Sequence, residues 1–144
     1  FAFDTNNRAQ ESCKRLALTN KVSERIQVGG TFSTSDFKKY ESENTLLLCD
    51  IEGAENELLD ISITERLKDI CMIVESHDCL VPGTTQRLTK RFSATHNITQ
   101  VDDAGSREIA EAPAWFKNLS HLDQLLATWE WRSGPTPWLV MKPK

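Results

Sequence analysis

Two short acidic segments each follow an apolar run and hold the side chains best suited to chemistry. Asp50–Glu55, of sequence DIEGAE, follows the apolar run Leu46–Cys49, and Glu75–Asp78, of sequence ESHD, follows the apolar run Ile70–Val74. Carboxylates held close together repel, which raises the pKa of one of them, and histidine is the side chain that titrates nearest neutral pH. The two segments therefore suit general-base catalysis or cation binding.

The spacing within each segment separates functional candidates from structural ones. Asp50 and Glu52 are two residues apart, so in an extended chain their side chains point to the same side. Glu75 and His77 have the same spacing. We predict a functional role for Asp50 and Glu52, whereas His77 suits either a proton-transfer or a structural role. Glu55 stands near the start of the next helix, where it complements the helix dipole and needs no catalytic role.

Metal binding stays open at this stage. The oxygen and nitrogen atoms of Asp50, Glu52, Glu75 and His77 can coordinate a hard divalent cation, but no spacing defines a geometry, so we assign no metal ligands. The sequence contains no GxGxxG or GxxxxGK[ST] phosphate loop, no GxSxG elbow and no zinc-type Cys/His spacing.

A third acidic position, Asp4, ends the first apolar segment, Phe1–Phe3. An acidic residue at the end of a strand can hold the ribose hydroxyls of a nucleoside ligand. A solvated loop residue or a helix cap explains Asp4 equally well.

Apolar periodicity places these residues in an alternation of strands and helices. The predicted strands are Phe1–Phe3, Glu24–Val28, Leu46–Cys49, Ile70–Val74, Asn97–Val101 and Trp138–Met141. The predicted helices are Asn7–Leu18, Ala54–Leu59, Thr84–Phe92 and His121–Trp131, with a helical turn at Ser35–Tyr40 and a capping box at Ser62–Glu65. This order predicts an α/β fold with a mostly parallel sheet, in which Leu46–Cys49 is covered on both faces. Sites in such sheets lie at the carboxyl ends of the strands.

Length and composition narrow the class of protein. The 144 residues suit one domain, and the net charge of −4 argues against a nucleic-acid surface. No apolar run approaches the roughly 20 residues of a membrane span. The four cysteines lack CxxC spacing, so we expect reduced thiols and a cytoplasmic location.

With these residues in view, Leu47–Glu55, of sequence LLCDIEGAE, resembles the D-[IV]-E-G-A-E signature of FkbM-type S-adenosylmethionine-dependent methyltransferases. The segment Ile73–His77 is similar to that family's I-V-E-x-H strand, and Phe1–Asn20 is similar to its acidic-ended strand and following helix. The resemblance covers roughly Phe1–Asp103.

The resemblance implies a Rossmann-like class I methyltransferase fold, a mostly parallel sheet with an antiparallel last strand. It also implies that Asp4 and Asp50 bind S-adenosylmethionine, that Glu75 and His77 border the acceptor, and that Asp50, Glu52 or His77 is the catalytic base. The family's first strand and Gly-rich loop have no counterpart after Phe1. We therefore expect residues 1–144 to form a single methyltransferase-like domain that is incomplete at its N-terminus, with a gap beside the Leu46–Cys49 strand.

The leading hypothesis is an O-methyltransferase acting on a small-molecule or sugar-type acceptor, with no nucleic-acid or membrane partner. The first alternative is a non-catalytic α/β interaction domain that uses tail aromatics. These are Trp115, Phe116, Trp129, Trp131 and Trp138. The second alternative is a metal-dependent hydrolase that uses Asp50, Glu52, Glu75 and His77.

Overall fold

The computed structural model describes residues 1–40, 45–62, 64–102, 109, 111–129 and 132–144. The chain forms two compact units, Phe1–Glu41 and Ser42–Lys144. The first contains a two-stranded parallel sheet, and the second contains a four-stranded mixed sheet. The predicted α/β class is confirmed at this level.

The first unit consists of strand β1 (Ala2–Phe3), helix α1 (Asn7–Thr19) and strand β2 (Val28–Gly29). Helix α1 begins where the sequence predicts, because the Asn6 side chain accepts a hydrogen bond from the Arg8 amide as an N-cap. The predicted strand Glu24–Val28 is wrong in its first part, where Ser23–Arg25 forms a 3-10 turn. Only Val28 of that prediction lies in β2, which pairs with β1.

Aromatic rings supply much of the packing of this first unit. Phe3 lies against Phe32 with ring centroids 4.7 Å apart, and Phe32 meets Phe37 edge-on at 4.9 Å. Tyr40 contacts Phe1 at 4.3 Å. The predicted helical turn is present as the 3-10 helix Thr34–Lys39, which delivers Phe37 and Tyr40 to this cluster.

The second unit is built on the sheet β3-β4-β6-β5. The strands are β3 (Leu46–Cys49), β4 (Cys71–Glu75), β5 (His96–Val101) and β6 (Trp138–Pro143). Strands β3 and β4 are parallel, whereas β6 runs antiparallel to both β4 and β5. The expected antiparallel last strand is therefore confirmed.

One face of this sheet forms the core of the second unit. Met72 pairs with Met141 and Val74 with Leu139 across β4 and β6, and all four side chains are fully buried. Helix α3 (Thr84–Phe92) coincides with its predicted range. It buries Leu88 and Phe92, one helical turn apart.

The prediction that β3 is covered on both faces is wrong. Leu46 and Leu48 keep 62% and 65% of their surface exposed, while Cys49 on the opposite face is buried. Among the strands of the described residues, β3 pairs only with β4 and so stands at an edge of its sheet. A continuous apolar run can arise from a strand with one uncovered face as well as from a central parallel strand.

The remaining helices are short: α2 (Glu55–Leu58), α4 (Ala114–Lys117) and α5 (His121–Thr128), with a 3-10 turn at Glu65–Lys68. The predicted capping box at Ser62 is wrong, because the Ser62 amide and hydroxyl both donate to Asp60 and the turn begins only at Glu65. Helix α2 starts within a residue of its predicted position.

Helix α5 begins after Ser120, whose hydroxyl accepts a hydrogen bond from the Asp123 amide as an N-cap. It ends at Thr128, three residues before its predicted end, because Trp129 has an extended backbone; Trp131 lies outside the described residues. Its apolar residues Leu122, Leu125 and Leu126 are exposed, although their spacing is typical of a helix that buries one face. No helix among the described residues is long and apolar enough to cross a bilayer.

Candidate acidic–histidine site

The site begins with a tight turn at the carboxyl end of β3. Glu52 and Gly53 follow one another with φ angles of +51° and +104°. A non-glycine residue rarely adopts a positive φ, so this turn holds Glu52 in a strained conformation. A Cβ on Gly53 would lie 3.2 Å from Cγ2 of Val81. The turn therefore needs glycine at position 53 for its backbone and for its close packing.

The parallel pairing of β3 and β4 supplies the second half of the site. Cys49 pairs with Val74, so Asp50 and Glu75 come next at the same edge of the sheet. Beyond β4, the Ser76 amide donates to the Pro137 carbonyl at 2.9 Å. This bond continues the pairing past Glu75 and fixes the entry of His77 into the interior.

Asp78 has a structural role. Its carboxylate accepts hydrogen bonds from the amide and the hydroxyl of Thr85, in the first turn of α3. It thereby satisfies one of the amide groups that a helix N-terminus leaves without a partner. The ESHD segment thus divides into two site residues, Glu75 and His77, and two that hold the fold, Ser76 and Asp78.

His77 is the centre of the site and is fully buried. Its Nδ1 lies 2.6 Å from Oε1 of Glu55. Its Nε2 lies 3.2 Å from Oε2 of Glu52 and 3.5 Å from Oδ1 of Asp50. The structure thus brings together Asp50, Glu52 and His77, the three predicted catalytic residues.

Glu55 is the site residue that sequence reasoning missed. It begins α2, as predicted, but its side chain is fully buried. Its Oε1 accepts hydrogen bonds from the Gly53 amide and from Nδ1 of His77. A signal was present in the sequence: Glu55 lies three residues after Glu52, a spacing that returns a side chain to the same side once the chain turns helical.

Glu75 lies at the other side of the site beside Arg132. Nη2 of Arg132 is 3.4 Å from Oε1 of Glu75, and Nη1 is 3.6 Å from Oε2 of Glu52. Glu75 is almost completely buried. Arg132 therefore joins the two predicted acidic residues, and no local motif in the sequence marks it.

The electrostatics of the site are reflected in the neighbouring thiol. Burial, together with the nearby negative charges of Glu55 and Asp50, raises the pKa of Cys49 to about 12. A thiolate is disfavoured where apolar burial is combined with nearby anions. The Cys49 thiol therefore stays protonated near neutral pH.

Three atom positions define a candidate cation-binding cluster. One ligand atom each from Asp50, Glu75 and His77 lie within 4.8 Å of one another, the one such grouping among the residues that the structure describes. Oε2 of Glu55 and Nε2 of His77 are both buried, and neither atom has a hydrogen-bond partner within the described part of the chain.

The sequence also predicts a cofactor-binding role for Asp4, and it contains two further histidines, His96 and His121. Asp4 is exposed at the end of β1, and its Oδ1 accepts the Asn6 amide at 2.7 Å. His96 is a buried structural residue at the start of β5, hydrogen-bonded to Thr95 and to the Ile70 carbonyl. His121 is exposed in the first turn of α5.

Comparison with known proteins assigns no family to this chain. No protein-family model matches the chain, and no curated protein matches it at a significant level. The fold and the site define an α/β protein with an acidic–histidine cluster at the carboxyl ends of two parallel strands.

Proposed function

We propose that this chain is the catalytic part of an S-adenosylmethionine-dependent methyltransferase that methylates an oxygen of a small acceptor. In this proposal its sheet belongs to the Rossmann-like class I methyltransferase fold. The observation that carries the proposal is the convergence of Asp50, Glu52 and His77 at the carboxyl ends of β3 and β4. This is where α/β sheets hold their ligands.

The residues at the predicted cofactor positions have suitable chemistry. A carboxylate has about four acceptor positions, and within the described residues the Asp4 carboxylate accepts one hydrogen bond, from the Asn6 amide. Asp4 therefore retains capacity for the two hydroxyls of a ribose. Asp50 is half-exposed, with 46% of its side chain open to solvent. S-adenosylmethionine, when bound, supplies an electrophilic methyl group.

The geometry narrows the choice of base. Glu52 is the most exposed of the three catalytic candidates, with 63% of its side chain open, whereas His77 has none. Glu52 is therefore the group that an acceptor hydroxyl can meet, and it takes the proton. The Arg132 guanidinium, whose Nη1 lies 3.6 Å from Oε2 of Glu52, holds Glu52 in position. Orienting the acceptor then supplies much of the rate.

Isothermal titration of the full-length protein with S-adenosylmethionine and S-adenosylhomocysteine tests the proposal. We expect saturable heat with both ligands, and affinity at least tenfold weaker for Asp4→Asn. Glu11→Gln, an exposed carboxylate on α1 of the same unit, is the matched control and should bind as the unmodified protein does. No heat from folded protein with either ligand would overturn the proposal.

One observation favours a second candidate, a non-catalytic interaction domain. Large apolar side chains are exposed on and beside α5, namely Trp115, Leu122, Leu125, Leu126 and Trp129. Exposed apolar groups of this size often mark a protein interface. This candidate predicts that neither nucleoside ligand gives heat, so the same titration separates the two.

A further inference from the structure

The hydrogen bond between His77 and Glu55 determines which nitrogen of the imidazole carries a proton. The carboxylate oxygen of Glu55 accepts, so Nδ1, at 2.6 Å, is the donor. In the neutral ring Nε2 is then an acceptor with a lone pair. This atom is buried and has no hydrogen-bond partner among the described residues.

The groups that face Nε2 are also acceptors. Oε2 of Glu52 lies 3.2 Å away and Oδ1 of Asp50 lies 3.5 Å away. Lone pairs on three atoms at this spacing repel one another. An uncompensated buried acceptor is costly, so a positively charged species is needed between these atoms.

The charge of the cluster indicates what that species is. The carboxylates of Asp50, Glu52, Glu55 and Glu75 are opposed by the Arg132 guanidinium. With a neutral imidazole these five groups carry three net negative charges. A divalent cation removes two of them and also satisfies several acceptors at once.

We infer that Asp50, Glu75 and His77 bind a divalent first-row metal cation of the Mn²⁺ or Zn²⁺ type. The ligand atoms lie within 4.8 Å of one another. Ligands at about 2.1 Å from such a cation are roughly 3 to 4.2 Å apart, so the site must contract by only about half an ångström. One imidazole nitrogen and two carboxylate oxygens suit Mn²⁺ and Zn²⁺ and leave positions open.

Glu55 completes the arrangement as a positioning residue. A metal-binding histidine usually donates its other ring N–H to a carboxylate, which orients the ring and increases its basicity. Glu55 holds Nδ1 of His77 in this way and is itself fixed by the Gly53 amide. Its complete burial is explained by this role, whereas a helix-dipole role requires only an exposed side chain.

The metal site goes beyond the proposed methyl transfer and does not depend on it. Glu52 lies outside the three-residue ligand set and stays available as a base. Metal binding can be measured without any methyl donor, so the two proposals can fail separately.

The test is a titration of metal-free, full-length protein with Mn²⁺, followed by the electron paramagnetic resonance signal of free Mn²⁺. We expect one saturable site. Asp50→Asn should weaken Mn²⁺ binding at least tenfold. Because the Asp50 side chain is half-exposed, this variant should still fold. Glu55→Gln should weaken binding by about 10- to 100-fold, because it removes the charge behind the imidazole.

Glu57→Gln is the matched control, since Glu57 is an exposed carboxylate on the same short helix as Glu55. Its affinity for Mn²⁺ should stay within about twofold of the unmodified protein. Equal binding by Asp50→Asn and Glu57→Gln would mean diffuse attraction of cations to acidic groups and would overturn the inference. Absence of saturable Mn²⁺ binding by the folded, unmodified protein would also overturn it.

Discussion

Nδ1 of His77 lies 2.6 Å from Oε1 of Glu55, and both side chains are completely buried. The two residues come from different elements, β4 with its extension and the start of α2. A paired polar contact of this kind costs little while both partners are present. Removing one partner leaves the other buried without compensation, which is strongly destabilising.

Glu55→Ala should therefore destabilise the protein by about 3 kcal/mol, because Nδ1 of His77 and the Gly53 amide lose their acceptor. Urea unfolding of the full-length protein measures the change. Glu57→Ala, at an exposed position of the same helix, should change the free energy of unfolding by less than about 0.5 kcal/mol. Equal effects of the two substitutions would contradict the role assigned to Glu55.

Gly53→Ala should destabilise by about 1 to 2 kcal/mol, since position 53 has a φ of +104° and an added Cβ lies 3.2 Å from Val81. The substitution should also displace Glu52, which precedes it in the same turn. The matched control is Gly134→Ala in the same unit, where the nearest atom to an added Cβ is at an ordinary 3.4 Å. Thermal unfolding curves for the two variants give the comparison, and similar midpoints would rule out the strained turn.

Cys49 should resist alkylation in the folded protein. Its pKa is raised to about 12. Near pH 8 its thiolate fraction is therefore smaller than that of an ordinary cysteine by a factor of about a thousand. Exposed Cys71 is the internal comparison. Iodoacetamide labelling followed by mass spectrometry should show Cys71 modified first and Cys49 modified only after unfolding. Comparable labelling rates for the two would contradict the buried, anionic surroundings of Cys49.

The same pKa shift has a consequence for stability at high pH. The unfolded chain releases the Cys49 proton near pH 9, whereas the folded chain holds it to about pH 12. Stability should therefore fall as the pH rises through this window. Cys49→Ala should remove that part of the pH dependence, which denaturation at pH 8 and pH 10.5 measures. An unchanged slope would mean that Cys49 ionises in the folded protein as it does in the unfolded chain.

Asp36 should make the first unit sensitive to acid. Lys39, and then the hydroxyl and amide of Ser33, hold the pKa of Asp36 well below its usual range. A group with a lowered folded pKa stabilises above its unfolded value near pH 4, and this contribution is lost as the pH falls further. Hydrogen exchange at the Ser33 amide, which donates to Asp36, should lose protection below pH 4.

Asp36→Asn should abolish this pH dependence of Ser33 protection. Glu24→Gln, an exposed carboxylate in the same unit, should leave it intact. If acid lowers the protection of the Ser33 amide equally in both variants, general charge repulsion and not the Asp36 carboxylate causes the loss.

Local pattern was sufficient for elements whose own residues determine them. Helix α3 was predicted to the residue because its apolar spacing and preceding glycine are local signals, and α1 was predicted because Asn6 caps it. The prediction of a strand at Glu24–Val28 is wrong in its first part, and the prediction that both faces of β3 are covered is wrong. Whether an apolar segment pairs, and on how many faces it is covered, depends on residues distant in the chain.

The sequence by itself determined which side chains stand at the ends of the two strands, because strand ends and turn residues follow from local composition. It thereby identified Asp50, Glu52, Glu75 and His77. Only the tertiary structure decided that Glu55 turns inward to His77 and that Arg132 joins Glu52 to Glu75. These contacts join residues 22, 57 and 80 positions apart, and a periodicity of two or of 3.6 residues carries no information over such separations.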